Sequence, residues 1–597
     1  MTISEQGPPD GVGPLRGARV SEANGIGRQW IADWERSERL PHYTRANAGE
    51  TLPDPASPLG WTLVFEHGLR GWRRGFADVG VYGEDEWPAT RPPFVGMFGG
   101  YFYLNLSHIR LFSLRMGVPV EQTDRAFVGR RPDIPAYVAH PDDVDEECSA
   151  KAGASVQRML GADGFPEADE DRRRLLALRR ERPDLTTLSD ADLAKRAYTL
   201  LDEIETTFYR HVVSSLPASV GPGILGQLCS GLGRTDDLLA LISGLGKVDS
   251  ASPASGMWDL SRRVIASPEL TALFDQGSAA VAEALPEAGG ELKGFRDAFE
   301  EFLAEHGDRG PNEWDIHAQS WEVAPVQVLA LVDRLRHSPD SESPANRHAR
   351  LAARRRKTAD RIREALAADE GTLATFEMAM RAVDVWVTAR ERTKANCVTA
   401  INEIRLAVRE LGRRGVEAGL YERPEDVMML VADELDDYLA DPGPFAPVIA
   451  ERLRAYAELY ALEPPFLIAD EPRAETWPRR DTHLPPPAVK GDELSGIGGS
   501  GGIFTGRARV VTDPADCAAL EPGEVLVAPI TDAAWTPLFL VAGAVVADVG
   551  ALNSHAVVVS RELGIPCVVS VGDGTRRLRD GVEVMVDGDA GMVTVLG

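Results

Sequence analysis

Through the middle of the chain apolar positions recur every three or four residues. Leu193, Ala197, Leu200, Ile204 and Phe208 share one face at a period of 3.6, with Ser189 placed as the N-cap. Phe295, Phe299 and Phe302 repeat the stripe, as do Phe376, Met380, Val383 and Val387. This pattern predicts helix packed on helix over residues 29–470. Beyond residue 502 the period changes. "GRARVV", "EVLVAP", "AGAVVAD", "PCVVSV", "VEVMVDG" and "MVTVL" are short β-rich runs bounded by Gly, Pro or Asp, with helical stretches near Trp535–Val541 and His555–Leu563. The expected fold class is therefore multidomain: a large, mostly α-helical domain followed by a small α/β domain at 503–597. Between them, 471–502 combines Pro485–Pro487 with a glycine cluster and is expected to be a flexible linker. Residues 1–28, dominated by Gly, Pro and polar side chains, are expected to be a flexible tail.

Composition narrows the partners. Lys and Arg number 64 against 92 Asp and Glu, and the resulting formal charge of -28 repels a phosphodiester backbone, so nucleic acid is not an expected partner. Cys148, Cys229, Cys397, Cys517 and Cys567 are far apart and never in CxxC spacing, which reads as reduced thiols. The N-terminal stretch lacks a basic start followed by an apolar core, and no later stretch reads as apolar enough to span a bilayer. The expectation is a soluble, cytoplasmic protein with no membrane partner.

Candidate chemistry concentrates in "DVGALNSHAVVVSRELGIPCVV", residues 548–569. A buried strand, "AVVAD", feeds a turn at Gly550, and His555 opens the helix that follows, capped by Asn553 or Ser554. A helix start presents free N–H groups and the positive end of the macrodipole, so it favours an anion and disfavours imidazolium. Neutral imidazole is nucleophilic, and a phosphoryl group on it is such an anion. On the local pattern alone, a capping or packing histidine without chemistry fits equally well.

The stretch from Asp548 to the C-terminus resembles the phosphohistidine, or mobile, domain of the PEP-utilising phosphotransferases, among them PEP synthase, pyruvate phosphate dikinase, rifampicin phosphotransferase and phenylphosphate synthase. The resemblance is carried by Ser554-His555, Arg561-Glu562, Gly564-Ile565-Pro566, Leu578 to Gly581 and Asp587-Gly588 to Gly591, and upstream by "GIGGSGGIFTGRARVV" and "VLVAPITDAAWTPLF". Ala551 stands where a second glycine is usual, and Cys567 reads as a small core residue. "RANAGETLPDPASPLGWTL", "MFGGYFYLNLS", "HGDRGPNEWDI" and "LYERPEDVMMLVADEL" resemble, more weakly, blocks of the substrate domain of the same family.

What the resemblance implies is a swivelling domain with His555 as catalytic phosphocarrier. Ser554, Thr531 and Arg561 would steady the phosphoryl oxygens, although Thr531 and Arg561 fit structural roles as well. In the substrate-binding-type domain, Arg309 is a candidate to meet the phosphoryl group and His306 or Glu313 to take the acceptor's proton. Against this, His306 continues an apolar helix face and Arg309 with Glu313 forms a natural ion pair. Tyr101 and Tyr103 read as pocket lining or as a buried strand, with Asn105 the polar residue of interest. No metal ligands are expected.

Two modules of the self-charging family members, an ATP-grasp module and a PEP/pyruvate barrel, find no match in the sequence, nor does a GxxxxGK[ST] loop. The layout resembles the histidine-bearing subunit of phenylphosphate synthase, and rifampicin phosphotransferase without its ATP-grasp domain. The expectation is a phosphotransferase component whose histidine is charged by a separate ATP-grasp partner, similar to the N-terminal part of PEP synthase, with Mg2+ and ATP on that partner. The acceptor would be a hydroxyl of a small organic molecule, a phenol being one candidate. The alternatives are a non-catalytic regulatory protein that retains the architecture and a PEP-dependent phosphotransferase.

Overall fold

A computed structural model describes residues 33–597 apart from 84–85, 89–90, 130, 132, 247, 481–484, 515–519 and 553. The expected tail at 1–28 lies outside the described residues, as do Cys517 and Asn553.

The helical body is organised around one 48-residue helix, Glu370–Glu417, whose Asp369 cap accepts the Thr372 N–H. From Ala395 to Arg405 every residue of this helix is buried, so its polar side chains must find partners inside the protein. Glu403 takes Arg182 at 3.2 Å and Arg196 at 2.7 Å, and Asn396 donates to the Ala168 carbonyl at 2.9 Å. Arg405 donates to the carbonyls of Glu313 and Asp315 at 2.7 and 2.9 Å, fastening the "HGDRGPNEWDI" loop to the long helix.

The predicted stripes are core. Leu193, Ala197, Leu200, Ile204 and Phe208 are all buried, and Ser189 accepts the Asp192 N–H. The stripe does not run along one helix: Asp190–Thr199 ends at Leu200, and Leu201–Ser215 follows. Phe295, Phe299 and Phe302 lie buried on Gly290–His306.

One expectation about the membrane needs correction. The run Asp190–Gly231 contains an 18-residue window of mean hydropathy 1.2, enough by length and composition for a span. In the fold it is three α-helices, Asp190–Thr199, Leu201–Ser215 and Val220–Gly231, the last two joined through a 3-10 turn at Pro217–Ser219, and their apolar faces meet the long helix and its neighbours. The apolar content was underestimated because it is divided among segments with different partners.

A small antiparallel sheet caps the body. Its order is β2 (Val95–Phe98), β3 (Tyr101–Asn105), β1 (Tyr43–Thr44), β4 (Leu467–Ile468). Gly99 and Gly100, both at positive φ, turn β2 into β3.

The α/β domain holds eight strands in the order β5 (Glu493–Ser495), β12 (Met592–Val595), β11 (Glu583–Asp587), β7 (Ile503–Val510), β8 (Val525–Ala528), β9 (Ala544–Ala547), β10 (Cys567–Val569), β6 (Ile497–Ser500). The run β7–β8–β9–β10 is parallel. Two crossover helices serve it, Thr536–Val541 and His555–Leu563, where the sequence pattern placed them. The expected linker at 471–502 is shorter than its composition suggests, because β5 and β6 are strands of this sheet. Its glycines permit close backbone approach instead of motion: a Cβ on Gly498 would lie 2.4 Å from the Gly588 carbonyl oxygen.

The α/β domain is docked on the helical body. Trp535, Leu538, Phe539 and Leu540 share one apolar core with Met257, Trp258, Leu331 and Trp321.

Candidate active site

His555 is the first residue of its helix, and Ser554 is the cap, accepting the Val557 N–H at 3.4 Å. The imidazole is 4% exposed and lies edge-on to Phe539, with ring centroids 5.7 Å apart. Nδ1 lies 3.1 Å from the Thr531 hydroxyl and Nε2 lies 3.0 Å from the Thr536 hydroxyl. Thr536 donates its single proton to the Ser250 carbonyl at 3.2 Å, so it accepts from Nε2–H, and Nδ1 is left to accept from Thr531. Burial, with Lys394 and Arg309 nearby, holds the ring's proton affinity well below the ordinary histidine value. The ring is a neutral Nε2–H tautomer.

Half of this enclosure belongs to the other module. Glu50, from the short helix α1 (Ala48–Thr51), accepts the His555 backbone N–H at 3.2 Å. Ser250 supplies the carbonyl beyond Thr536, and Lys394 of the long helix and Arg309 supply positive charge. The ring is therefore closed in by docking, and it opens if the α/β domain leaves the body.

Further carboxylates stitch the boundary. Asp532 accepts the Asn312 N–H at 2.6 Å. Glu562 accepts the N–H groups of Leu245 and Gly246 at 3.2 and 3.3 Å. Burial, and secondarily Glu313, raises the Asp532 carboxyl to about 7.

The candidates read from the sequence separate sharply. Thr531 is at the ring, and Ser554 caps the helix that His555 opens. Arg561 is not: its Nε donates to the Gly499 carbonyl at 2.7 Å, tying the histidine helix to β6, because an arginine six residues along the helix faces away from the first turn. Arg309 and Glu313 do pair, through bonds of 2.7 and 2.9 Å, with Arg309 still near enough to act on His555 electrostatically. His306 packs on Phe302 at 5.1 Å, and burial lowers its proton affinity to about 4. It makes no contact with His555 among the described residues. Asn105 is a cap: its Oδ1 accepts the His108 N–H and its Nδ2 donates to the Leu40 carbonyl. Tyr101 and Tyr103 are buried on β3, their hydroxyls donating to the Leu459 and Pro465 carbonyls. Burial pushes the Cys567 thiol up to about 12, as befits a core residue.

Glu50, Lys394, Asp532 and Thr536 were missed. Asp532 and Thr536 lie inside "VLVAPITDAAWTPLF", where their nearness to Thr531 was a usable signal. Glu50 and Lys394 carry none, since only the fold brings positions 50, 394 and 555 together.

A histidine at a helix start, on a small α/β domain docked against a helical body, is the arrangement that the resemblance to a mobile domain leads one to expect. The comparisons agree: residues 520–591 match the PEP-utilising enzyme mobile domain, and residues 210–391 match the rifampicin phosphotransferase fourth domain. The resemblance to PEP-utilising phosphotransferases thus holds in both parts of the chain. An uncharacterised protein of Mycobacterium tuberculosis is 28% identical over 618 residues, covering 98% of this chain and 64% of that protein. The prodigiosin synthesizing transferase PigC of Serratia marcescens is 27% identical over 614 residues, covering 95% of this chain and 64% of PigC. A rifampicin phosphotransferase of Streptomyces sviceus is 30% identical over 304 residues, covering 50% of this chain and 34% of that enzyme. The chain thus spans less than two thirds of the length of these relatives.

Proposed function

We propose that this chain is the phosphocarrier and acceptor-binding part of a phosphotransferase. His555 receives a phosphoryl group from a separate ATP-grasp partner that holds ATP and Mg2+, and passes it to a hydroxyl of a small organic molecule, a phenol being one candidate. The observation that carries this reading is the neutral His555 ring at its helix start, enclosed between two modules and under the positive charge of Lys394 and Arg309 of the helical body.

Each element has a chemical consequence. Neutral imidazole keeps a lone pair for phosphorus, and the two threonine hydroxyls fix the ring's orientation. Helix-start N–H groups and the nearby cations favour the charge that a phosphoryl group brings. Stabilisation of that charge and alignment of donor and acceptor account for most of the catalysis in phosphoryl transfer. Because the docked ring is closed in, charging requires the α/β domain to leave the body, and transfer requires it to return with the acceptor seated.

The test is to incubate the chain with ATP, Mg2+ and the ATP-grasp partner, then to seek an acid-labile, base-stable phosphate on His555 that His555→Ala lacks. Partner ATP turnover with no label on His555 refutes the reading and favours a regulatory role. Label from PEP in the absence of ATP reassigns the donor.

A further inference from the structure

Moving a phosphoryl group from an imidazole to a hydroxyl releases the hydroxyl's proton, and few atoms around His555 are free to take it. Asp532 has both oxygens engaged, by the N–H groups of Asn312 and Ala534 at 2.6 and 3.0 Å. Glu313 gives both of its oxygens to Arg309. Glu391 is held by Ser250 and Arg390. The Nδ1 of His211 lies 3.2 Å from the Thr393 hydroxyl, and burial holds its proton affinity well below the ordinary value.

Glu50 differs. Its Oε2 accepts the His555 N–H and the Ala551 N–H lies close to the carboxylate, while Oε1 is enclosed and has no partner in hydrogen-bond geometry among the described residues. The side chain is delivered by a tight local structure. Asn47 takes a positive φ of 58° before α1, and Gly49 of α1 faces the α/β domain at ordinary contact distance. A Cβ at Gly49 would stand 3.4 Å from Ile530 and 3.4 Å from Val549. Docking therefore brings the free oxygen of Glu50 and the histidine helix together.

We propose that Glu50 is the catalytic base of the acceptor half-reaction, its Oε1 taking the proton of the incoming hydroxyl as that oxygen attacks phosphorus on His555. The inference rests on the phosphocarrier reading above. The oxygen–phosphorus bond forms as the phosphorus–nitrogen bond breaks, and the electron pair of the broken bond returns to the ring nitrogen. With the phosphoryl group on Nδ1, the nitrogen whose lone pair is free in the Nε2–H ring, that electron pair restores the neutral imidazole directly, and the proton on Glu50 leaves to solvent as the α/β domain undocks, restoring the carboxylate. One phosphoryl group leaves, one hydroxyl proton is relayed, and no co-reactant is consumed. Burial raises the Glu50 carboxyl to about 7, with Lys394 and Arg390 opposing the rise, so it takes and returns a proton near neutrality.

The test uses the full chain charged chemically with potassium phosphoramidate, with water and added phenol as hydroxyl probes and 31P NMR as readout. Glu50→Gln is expected to acquire phosphate on His555 to the wild-type extent and to discharge it at least about 10²-fold more slowly. Discharge by the wild type rises with pH through a midpoint near 7, and the variant loses that rise. The charged and titratable groups near Glu50 are Lys394, Arg390, Cys567 and His555, and the Glu50→Gln change leaves all of them in place. Glu50→Ala should regain discharge with added formate, a response that repair of folding would not produce. Wild-type discharge by a fully labelled Glu50→Gln, or no formate response in a labelled Glu50→Ala, overturns the assignment and leaves the phosphocarrier reading intact. Failure of His555 itself to acquire label, with His555→Ala indistinguishable from wild type, overturns both.

Discussion

Removing the Glu562 carboxylate tests whether docking is what hides His555. Glu562 is 7% exposed on the histidine helix, and its two oxygens hold the N–H groups of Leu245 and Gly246 across the domain boundary. A hydrogen bond to a charged group contributes about 1.5–3 kcal/mol at good geometry. These bonds are long, at 3.2 and 3.3 Å. Gly246 is exposed and Leu245 half-buried, so water replaces part of what is lost. The net cost of Glu562→Ala to docking is therefore about 1–3 kcal/mol, a rise of roughly 5- to 150-fold in the undocked fraction. The shared apolar core of Trp535 and Phe539 with Trp258 and Leu331 still favours docking, so the change is in a minor population. Acylation of His555 by diethyl pyrocarbonate, followed by peptide mass spectrometry, reads that population, because the docked ring is enclosed. The expected result is faster acylation of His555 in Glu562→Ala by that factor, with histidines of the helical body unchanged. An unchanged rate at His555 would refute the argument that the boundary encloses the ring.

Three other outcomes follow from the same geometry. Thr536→Val removes the hydroxyl between Nε2 and the Ser250 carbonyl; it should cost about 1–3 kcal/mol in thermal denaturation and shift the 15N resonances of His555, which in the wild type should report the Nε2–H tautomer. Burial raises Glu50 and Asp532 to about 7 from ordinary values of 4.5 and 3.8. The docked state therefore binds protons more tightly than the undocked one, and docking should be strongest below about pH 4 and weaken as pH rises to about 7, by at least about 1 kcal/mol. Energy transfer between dyes on the two modules, followed across that window, checks the sign. Gly588→Ala places a Cβ 1.9 Å from the Ser500 carbonyl oxygen, a clash that only backbone movement relieves. It should lower the stability of the α/β domain by roughly 2–4 kcal/mol, seen as an earlier melting transition.

The sequence by itself determined the elements and one reactive group. Apolar spacing is a local property, so the stripes through Leu193–Phe208 and Phe295–Phe302, the short strands beyond residue 502 and the helix opening at His555 were all legible. Composition misled where it stood in for contact. The glycines of 496–502 read as a flexible tether, yet they serve the close packing of β6 on the turn after β11. Only the tertiary structure decided the company His555 keeps. Its surroundings come from positions 50, 250, 309, 394, 531 and 536, and no periodicity relates residues so far apart in the chain. Burial completes the site. His555, Glu50 and Asp532 owe their shifted proton affinities chiefly to burial, and residues of both modules enclose them.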